Sequence, residues 1–291
     1  MNFSMVPPDA PQRRMAAPMP PPAPLKFVNT KLLIDSRDRD YDAYPSASSF
    51  LIDLRSPIRN VTSAVLISCE VPMSYYVFAQ ARGNTSLTVT VGGATTRTVT
   101  VPDGNYTTDT MAAALVAALQ TAFAPRTFAV TFDVASMKCT VASAGTTVAV
   151  DTTSVSPTGK RTNWGLAYHL GFPAGAVTAG SGSVTGTRVA NMSPENYVVV
   201  DIDELNGVTH LVPYSGGAPG ETVFAKVPLL GDSYTYMYYD KTISFVQLRP
   251  RRESIRQLRV SLRFHDGTPV DLNGAEWSMT LELECTLTKN P

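Results

Sequence analysis

The stretch "EWSMTLELECTL", residues Glu276–Leu287, decides the class of fold. Apolar and polar side chains alternate along it, which is the period of a strand with one face buried and one face exposed. The apolar face carries Trp277, Met279, Leu281, Leu283, Cys285 and Leu287, and the polar face carries Glu276, Ser278, Thr280, Glu282, Glu284 and Thr286. The alternation predicts a β-strand against an apolar core.

Strand patterns of this kind flank a long region of different composition. Three of them precede that region and five follow it. The predicted strands lie around Leu32–Asp35, Phe50–Leu54, Val65–Val71, Val198–Ile202, Thr222–Val227, Lys241–Leu248, Leu258–Phe264 and Glu276–Leu287. Eight strands with long connections favour an all-β protein built on a single jelly-roll sandwich.

The intervening region is rich in Gly, Thr, Ala and Ser and contains short strand patterns with one clear helix. The helix is indicated by apolar residues that recur every four positions, Met111, Leu115, Leu119 and Phe123. We therefore predict an inserted small α+β domain, a small sheet plus one helix, at residues 79–190. The jelly-roll domain then comprises residues 28–78 and 191–291.

The first residues, 1–27, are predicted to form an extended, Pro-rich N-terminal arm. Pro and Ala dominate this segment, which carries Arg13 and Arg14 and has too few large apolar residues for a core of its own. Two interpretations remain open: a disordered tail, or an arm that lies along a neighbouring subunit. Arg13 and Arg14 are interface candidates in the second case.

Composition and motifs exclude several function classes. The net charge is zero and 16% of the 291 residues are charged, so no global attraction to nucleic acid or membranes is expected. The three cysteines are unpatterned, and the three histidines lie in different segments, so no disulfide framework, metal site or catalytic site is predicted. We expect no cofactor, no membrane span, no secretion signal and no enzymatic activity.

The charged stretch Asp35–Asp42 needs its own explanation. Four aspartates in eight residues resemble a calcium loop, but Arg37 and Arg39 stand between them and the spacing of a calcium-binding loop is missing. The favoured interpretation is a network of ion pairs that holds the entry strand, anchors the arm, or contacts a neighbouring subunit. Arg37 and Arg39 are accordingly interface candidates.

Two further segments favour a protein interface. The run "RPRRESIRQLRVSLR", residues 249–263, contributes the candidates Arg249, Arg251, Arg252, Arg259 and Arg263, which would pair with acids of the last strand or of a neighbouring subunit. Nucleic-acid binding is the less favoured alternative. The segment "YTYMYYD" contributes Tyr236, Tyr238 and Tyr239, for which an interface and an ordinary hairpin both remain open.

Several segments together resemble virion structural proteins of large eukaryotic DNA viruses. The segment "LLIDSRDRDYDAYPSASSFLIDLRSPIRNVTSAVLISCEVPMSYYVF", residues 32–78, resembles the N-terminal signature of these proteins, at Ile34–Arg39, Pro45–Phe50 and Val71–Pro72. Similar matches follow in the same order at Val101–Leu115, Leu170–Phe172 and Leu258–Leu283. The resemblance covers most of residues 32–287.

This resemblance implies a minor capsid or penton protein of chlorovirus, mimivirus or polinton-like type. It implies a non-enzymatic protein of the virion that is assembled in the host cytoplasm or nucleus. The expected partners are further copies of the chain, with a pentamer favoured, the major capsid protein and other minor capsid proteins. The alternative is a virion surface protein that binds a glycan or receptor through the inserted domain, with Tyr106, Trp164 and Tyr168 as contacts.

Overall fold

The computed structural model describes residues 26–153, 165–206, 211–212, 221–229, 236–239 and 244–287. The predictions for the arm, for Arg13 and Arg14, and for Trp164 lie outside these residues. The strands in chain order are β1 (Lys26–Asp35), β2 (Ser49–Pro72), β3 (Ser86–Val91), β4 (Thr95–Thr100), β5 (Ala129–Phe132), β6 (Cys139–Asp151), β7 (Val177–Thr185), β8 (Tyr197–Ile202), β9 (Leu211–Val212), β10 (Glu221–Thr222), β11 (Ala225–Pro228), β12 (Tyr236–Tyr239), β13 (Ser244–Arg263) and β14 (Ser278–Leu287). The helices are α1 (Thr108–Ala122) and α2 (Leu166–His169).

A seven-stranded antiparallel sheet is built from the two ends of the described chain. Its strand order is β1-β14-β2-β13-β8-β11, and β12 pairs with β2. The sheet curls so that its inward apolar side chains belong to one buried core. The predicted all-β, jelly-roll-like fold is confirmed.

Two strands of this sheet are longer than predicted. Strand β2 has 24 residues and β13 has 20, and each replaces two predicted strands. Both of the pairings that β13 and β14 make with β2 shift register close to Thr62, and Asn60 has a positive φ of 53°. The apolar alternation breaks at this bend because Arg55 and Arg59 are exposed there, although the backbone pairing resumes beyond it. The predicted strand count of eight is therefore wrong for this sheet.

Strand β2 joins two halves of the curled sheet through its bend. Its C-terminal half, from Val61 onward, pairs with β14 on one side and with β12 and the start of β13 on the other. Its N-terminal half pairs with the end of β13, which in turn pairs with β8. Phe50 in the first half packs edge-on against Trp277, with ring centroids 6.1 Å apart.

A second sheet lies between Ser86 and Thr185 and carries the predicted helix. Its order is β4-β3-β6-β5, with β7 also paired to β6, and α1 packs against β4 and β5. The predicted apolar stripe of α1 is buried at Met111, Leu115 and Leu119. Thr107 caps the helix and forms a capping box with Thr110. A third sheet of two strands pairs β9 with β10. The two larger sheets come from the segments for which we predicted two domains, and whether the domains are separate units stays a prediction.

Candidate functional site

The charged stretch after β1 forms a compact buried cluster around Arg39. The Arg39 guanidinium donates to a Glu276 carboxylate oxygen at 2.5 Å and to the carbonyl oxygens of Ser36 and Tyr44 at 2.6 and 2.8 Å. The Ser36 hydroxyl also donates to Glu276 and accepts the backbone N–H of Trp277 at 3.0 Å. The cluster thereby joins the segment after β1 to the residues that lead into β14, as an internal ion-pair network does.

Electrostatics keep the acids of this cluster ionised. The Arg37 side chain, hydrogen-bonded to Asp35, holds the pKa of that carboxyl below its usual value. Burial opposes ionisation of Glu276, but the hydrogen bonds from Arg39 and Ser36 outweigh it and lower its pKa. The predicted interface roles of Arg37 and Arg39 remain untested, and their settings differ: the side chain of Arg37 is 71% exposed and that of Arg39 is 5% exposed.

A cluster of arginines surrounds the bend of the curled sheet, and we call it the basic bend. Three of its β13 members, Arg249, Arg251 and Arg252, are interface candidates predicted from the sequence, and the fourth, Arg256, was not named as one; all four are exposed. Pairing of Arg59 with Ser254 and of Val61 with Arg252 brings β2 alongside and adds Arg55 and Arg59. None of these six arginines forms an ion pair within the described part of the chain. Sequence reasoning missed Arg55 and Arg59, because a single strand pattern does not show which strand lies beside it.

The remaining two arginines of the predicted run have acidic partners inside the chain. Arg263 donates to Asp201 at 2.5 Å, and the side chains of both residues are largely buried. Arg259 lies 3.5 Å from Asp203 and both are exposed. These acids lie on and just after β8 rather than on the last strand, so the predicted in-chain pairing with β14 is wrong for these two residues.

The outward face of β1, β14 and the second half of β2 is acidic, and we call it the acidic face. Its carboxylates are Glu70, Glu282 and Glu284, which accept hydrogen bonds from Ser278, Asn29 and Thr62. These donors are neutral, so they do not cancel the negative charge. Lys31 lies opposite Glu282 in the pairing but is not within 4 Å of it as an ion pair.

Large apolar side chains border the acidic face. Phe27, Leu33 and Phe245 are 51%, 68% and 54% exposed. The register places Phe27 and Leu33 on the same side of β1 as Lys31, and it pairs Phe245 with Val65, the residue opposite Glu282. Exposed apolar side chains grouped on one sheet face are typical of a protein contact surface. These three residues were not among the predicted candidates, although the period-two pattern of β1 contains the signal for Phe27 and Leu33.

The aromatic candidates lie in two places. Tyr236, Tyr238 and Tyr239 belong to β12, which pairs with Pro72, Glu70 and Cys69 of β2. Tyr106 and Tyr168 are half-buried, and Tyr106 packs edge-on against Phe78 with centroids 5.7 Å apart. Part of the ring surface of Tyr106 and of Tyr168 is therefore buried inside the protein. The predicted role of these two residues in ligand binding stays untested.

A buried histidine at the end of α2 contacts the segment between β7 and β8 and the loop before β3. His169 Nδ1 lies 2.9 Å from the carbonyl oxygen of Asn191, and Nε2 lies 3.4 Å from the side-chain nitrogen of Asn84. The Asn84 amide is oriented by the Val77 carbonyl, to which it donates, and by the Ala79 N–H, which it accepts. Because the Asn191 carbonyl can only accept, Nδ1 carries the proton and Nε2 faces a donor.

Within the residues that the structure describes, no group of three or more His, Cys, Asp or Glu side chains is placed to hold a metal ion. No described helix is both long and apolar enough to cross a membrane.

Comparison with known proteins adds a fold relationship. Residues 29–140 match the model of a family of unknown function (DUF5901). The sequence matches no curated protein. The structure is similar to the crystal structure of a selenomethionine-labelled mavirus penton protein, with a TM-score of 0.50, 11% identity, and coverage of 90% of this chain and 100% of that one. The likeness extends over both sheets and shows that the two chains share a fold.

Proposed function

We propose that the chain is a non-enzymatic structural protein of a viral capsid, and specifically a penton. The observation that carries the proposal is the fold, which covers the whole length of the mavirus penton protein. The ordered series of motifs between residues 32 and 287 supports the same class independently of the fold.

The mechanism we propose is geometric. The curled sheet with its continuous core is the rigid unit that packs against neighbouring subunits. The second sheet is inserted into it between β2 and β8. Copies of the chain associate through their curled sheets into a closed ring. In such a ring, one surface of each copy binds a different surface of the next copy. The ring occupies a vertex of the virion and contacts the major capsid protein and other minor capsid proteins.

Native mass of the purified full-length chain tests the proposal. Mass photometry over a range of salt concentrations is expected to show a species of about five times 31.3 kDa. Immunogold labelling of purified virions is expected to mark the vertices. A chain that is monomeric and labels the shell elsewhere would be a minor capsid protein of another kind, and a chain absent from virions would refute the capsid role.

A second function, glycan or receptor binding, is favoured by one observation on the second sheet. The hydroxyls of Thr88 and Thr98 lie 3.0 Å apart and those of Thr90 and Thr96 lie 2.8 Å apart, which forms a ladder of exposed hydroxyl groups across β3 and β4. Such a face offers donors and acceptors to a sugar. A glycan array probed with the full-length protein tests this function, and an array without hits would set it aside.

A further inference from the structure

We infer that the acidic face of one copy of the chain binds the basic bend of the next copy. The inference rests on the proposed function and specifies the contact that would close the ring. Its partner is thus a second copy of this chain, bound head to tail.

The acidic face and the basic bend carry opposite charges. The acidic face carries three carboxylates whose hydrogen bonds come from neutral donors, against one lysine. The basic bend carries six arginines outside any ion pair of the described chain, and the acid within their run is Glu253. Opposite potentials on two surfaces favour their encounter and fix the register of binding.

The basic bend and the acidic face are neighbours on the surface of one chain. Arg251 reaches the Thr286 hydroxyl at 3.4 Å, so the basic bend begins where the acidic face ends along β14. Even so, no arginine of the bend forms an ion pair with Glu282 or Glu284 in the same chain. The two surfaces therefore lie side by side, so each is left to pair with its complement on another copy.

The acidic face also has an apolar border. Phe27, Leu33 and Phe245 would lose their exposure to water in a contact centred on Glu282. The basic bend offers matching apolar surface at Pro57 and Pro250, which are both exposed. Arginine stems also cover apolar groups while the guanidinium pairs with a carboxylate. Apolar anchors around paired charges are the composition expected of a specific interface.

Charge reversal tests the contact. The variants E282R/E284R and R251E/R252E are each expected to assemble at least about 100-fold more weakly than the wild type, because like charges then face each other. The combined variant carries both reversals, and it is expected to recover assembly to within about tenfold of the wild type. The matched control R97E/K138E reverses one charge on β4 and one just before β6, and it is expected to assemble as the wild type does.

Milder variants guard against misfolding. E282Q/E284Q removes the charge and keeps the size of the side chains, R251Q/R252Q removes the charge and keeps a polar side chain, and circular dichroism with thermal melting checks the fold of both. Both are expected to assemble weakly and with less dependence on salt than the wild type. If the wild type assembles and the reversals assemble equally well, the contact is refuted while the proposed function stands. A wild type that is monomeric at every salt concentration refutes both the ring and the contact.

Discussion

Arg39 illustrates how one residue combines several structural roles. Its guanidinium pairs with Glu276, which is 237 positions away in the sequence. Because the Arg39 side chain is buried, water does not compete for this pair. It satisfies carbonyl groups of the turn between β1 and β2 as well. A charge so enclosed stabilises the fold through several hydrogen bonds at once, which a surface pair does not.

Replacing Arg39 with alanine is expected to lower the free energy of unfolding by about 3 kcal/mol, because Glu276 and the turn carbonyls lose their donor. The matched control is R37A in the same stretch. The Arg37 side chain is mostly exposed, so its loss is expected to leave the urea midpoint unchanged. Urea unfolding followed by far-UV circular dichroism measures both. Equal destabilisation by the two variants would contradict the structural role of Arg39.

His169 makes stability depend on pH in a defined direction. Burial lowers the pKa of His169, and the nearby Arg82 lowers it further, while the Asn191 carbonyl and Glu195 act in the opposite sense. The folded state therefore binds fewer protons than the unfolded state below the ordinary histidine pKa of 6.5. The contribution of neutral His169 to the free energy of unfolding is fully present above pH 6.5 and is lost as the pH drops below it, because protonated Nε2 would face the Asn84 donor.

The variant H169N is expected to reduce this loss of stability between pH 7 and pH 5. Asparagine keeps a donor for the Asn191 carbonyl and does not titrate. The measurement is the melting temperature of both proteins at matched pH values and constant ionic strength. Parallel curves for the wild type and H169N would show that other groups cause the pH dependence.

At the scale of elements, the accuracy of prediction followed the range of the interactions. Helix α1 was predictable because its period and its cap are local, and β14 because one face is buried along its length. The continuity of β2 was not, since it depends on a distant strand: Ile58 and Arg59 pair with β13 between two register shifts. Three of the six arginines of the basic bend were predicted; Arg55 and Arg59 were missed for the same reason, since they come from the neighbouring strand, and Arg256 of β13 was not singled out within its run.

Gly171, in the motif "LGF" after α2, is constrained by its neighbours. It has a φ of +83°, and a Cβ atom there would lie 2.3 Å from the Arg188 carbonyl oxygen. We expect G171A to lower the free energy of unfolding by about 2 kcal/mol or more, through both the clash and the backbone conformation. G175A is the control, because Gly175 shares the positive φ but has nothing within 4 Å of its Cβ position.

The control G175A is expected to cost about 1 kcal/mol from backbone strain alone. Chemical denaturation of both variants separates the two contributions. A cost for G171A no larger than that for G175A would mean that the segment around Arg188 moves to make room.

For the whole molecule, the two segments that connect the large sheets contact each other close to the end of β13. Tyr75, just after β2, packs edge-on against Phe264 at 5.2 Å, and Arg82 lies over the same Phe264 ring at 4.3 Å. Arg82 also pairs with Glu195 at 2.6 Å, at the point where the chain returns to the first sheet. These contacts couple the insertion to the jelly roll at both of its connections.

We therefore expect the chain to unfold in one cooperative transition. In a W164F background, Trp277 fluorescence reports on the first sheet, and far-UV circular dichroism reports on both sheets. The two urea curves are expected to coincide. Two separate transitions would show that the insertion is an independent domain, as the sequence-based division at residues 79–190 predicts.

The two long strands have a mechanical consequence for the curled sheet. Since β2 and β13 each run without interruption through both halves of the curled sheet, a load on one half is carried to the other along covalent chain. The halves therefore cannot slide past each other, as two separate sheets that contact only through side chains could. Separating the halves would stretch both strands along their length, while the pairs between β2 and β13 on either side of the bend hold each half together.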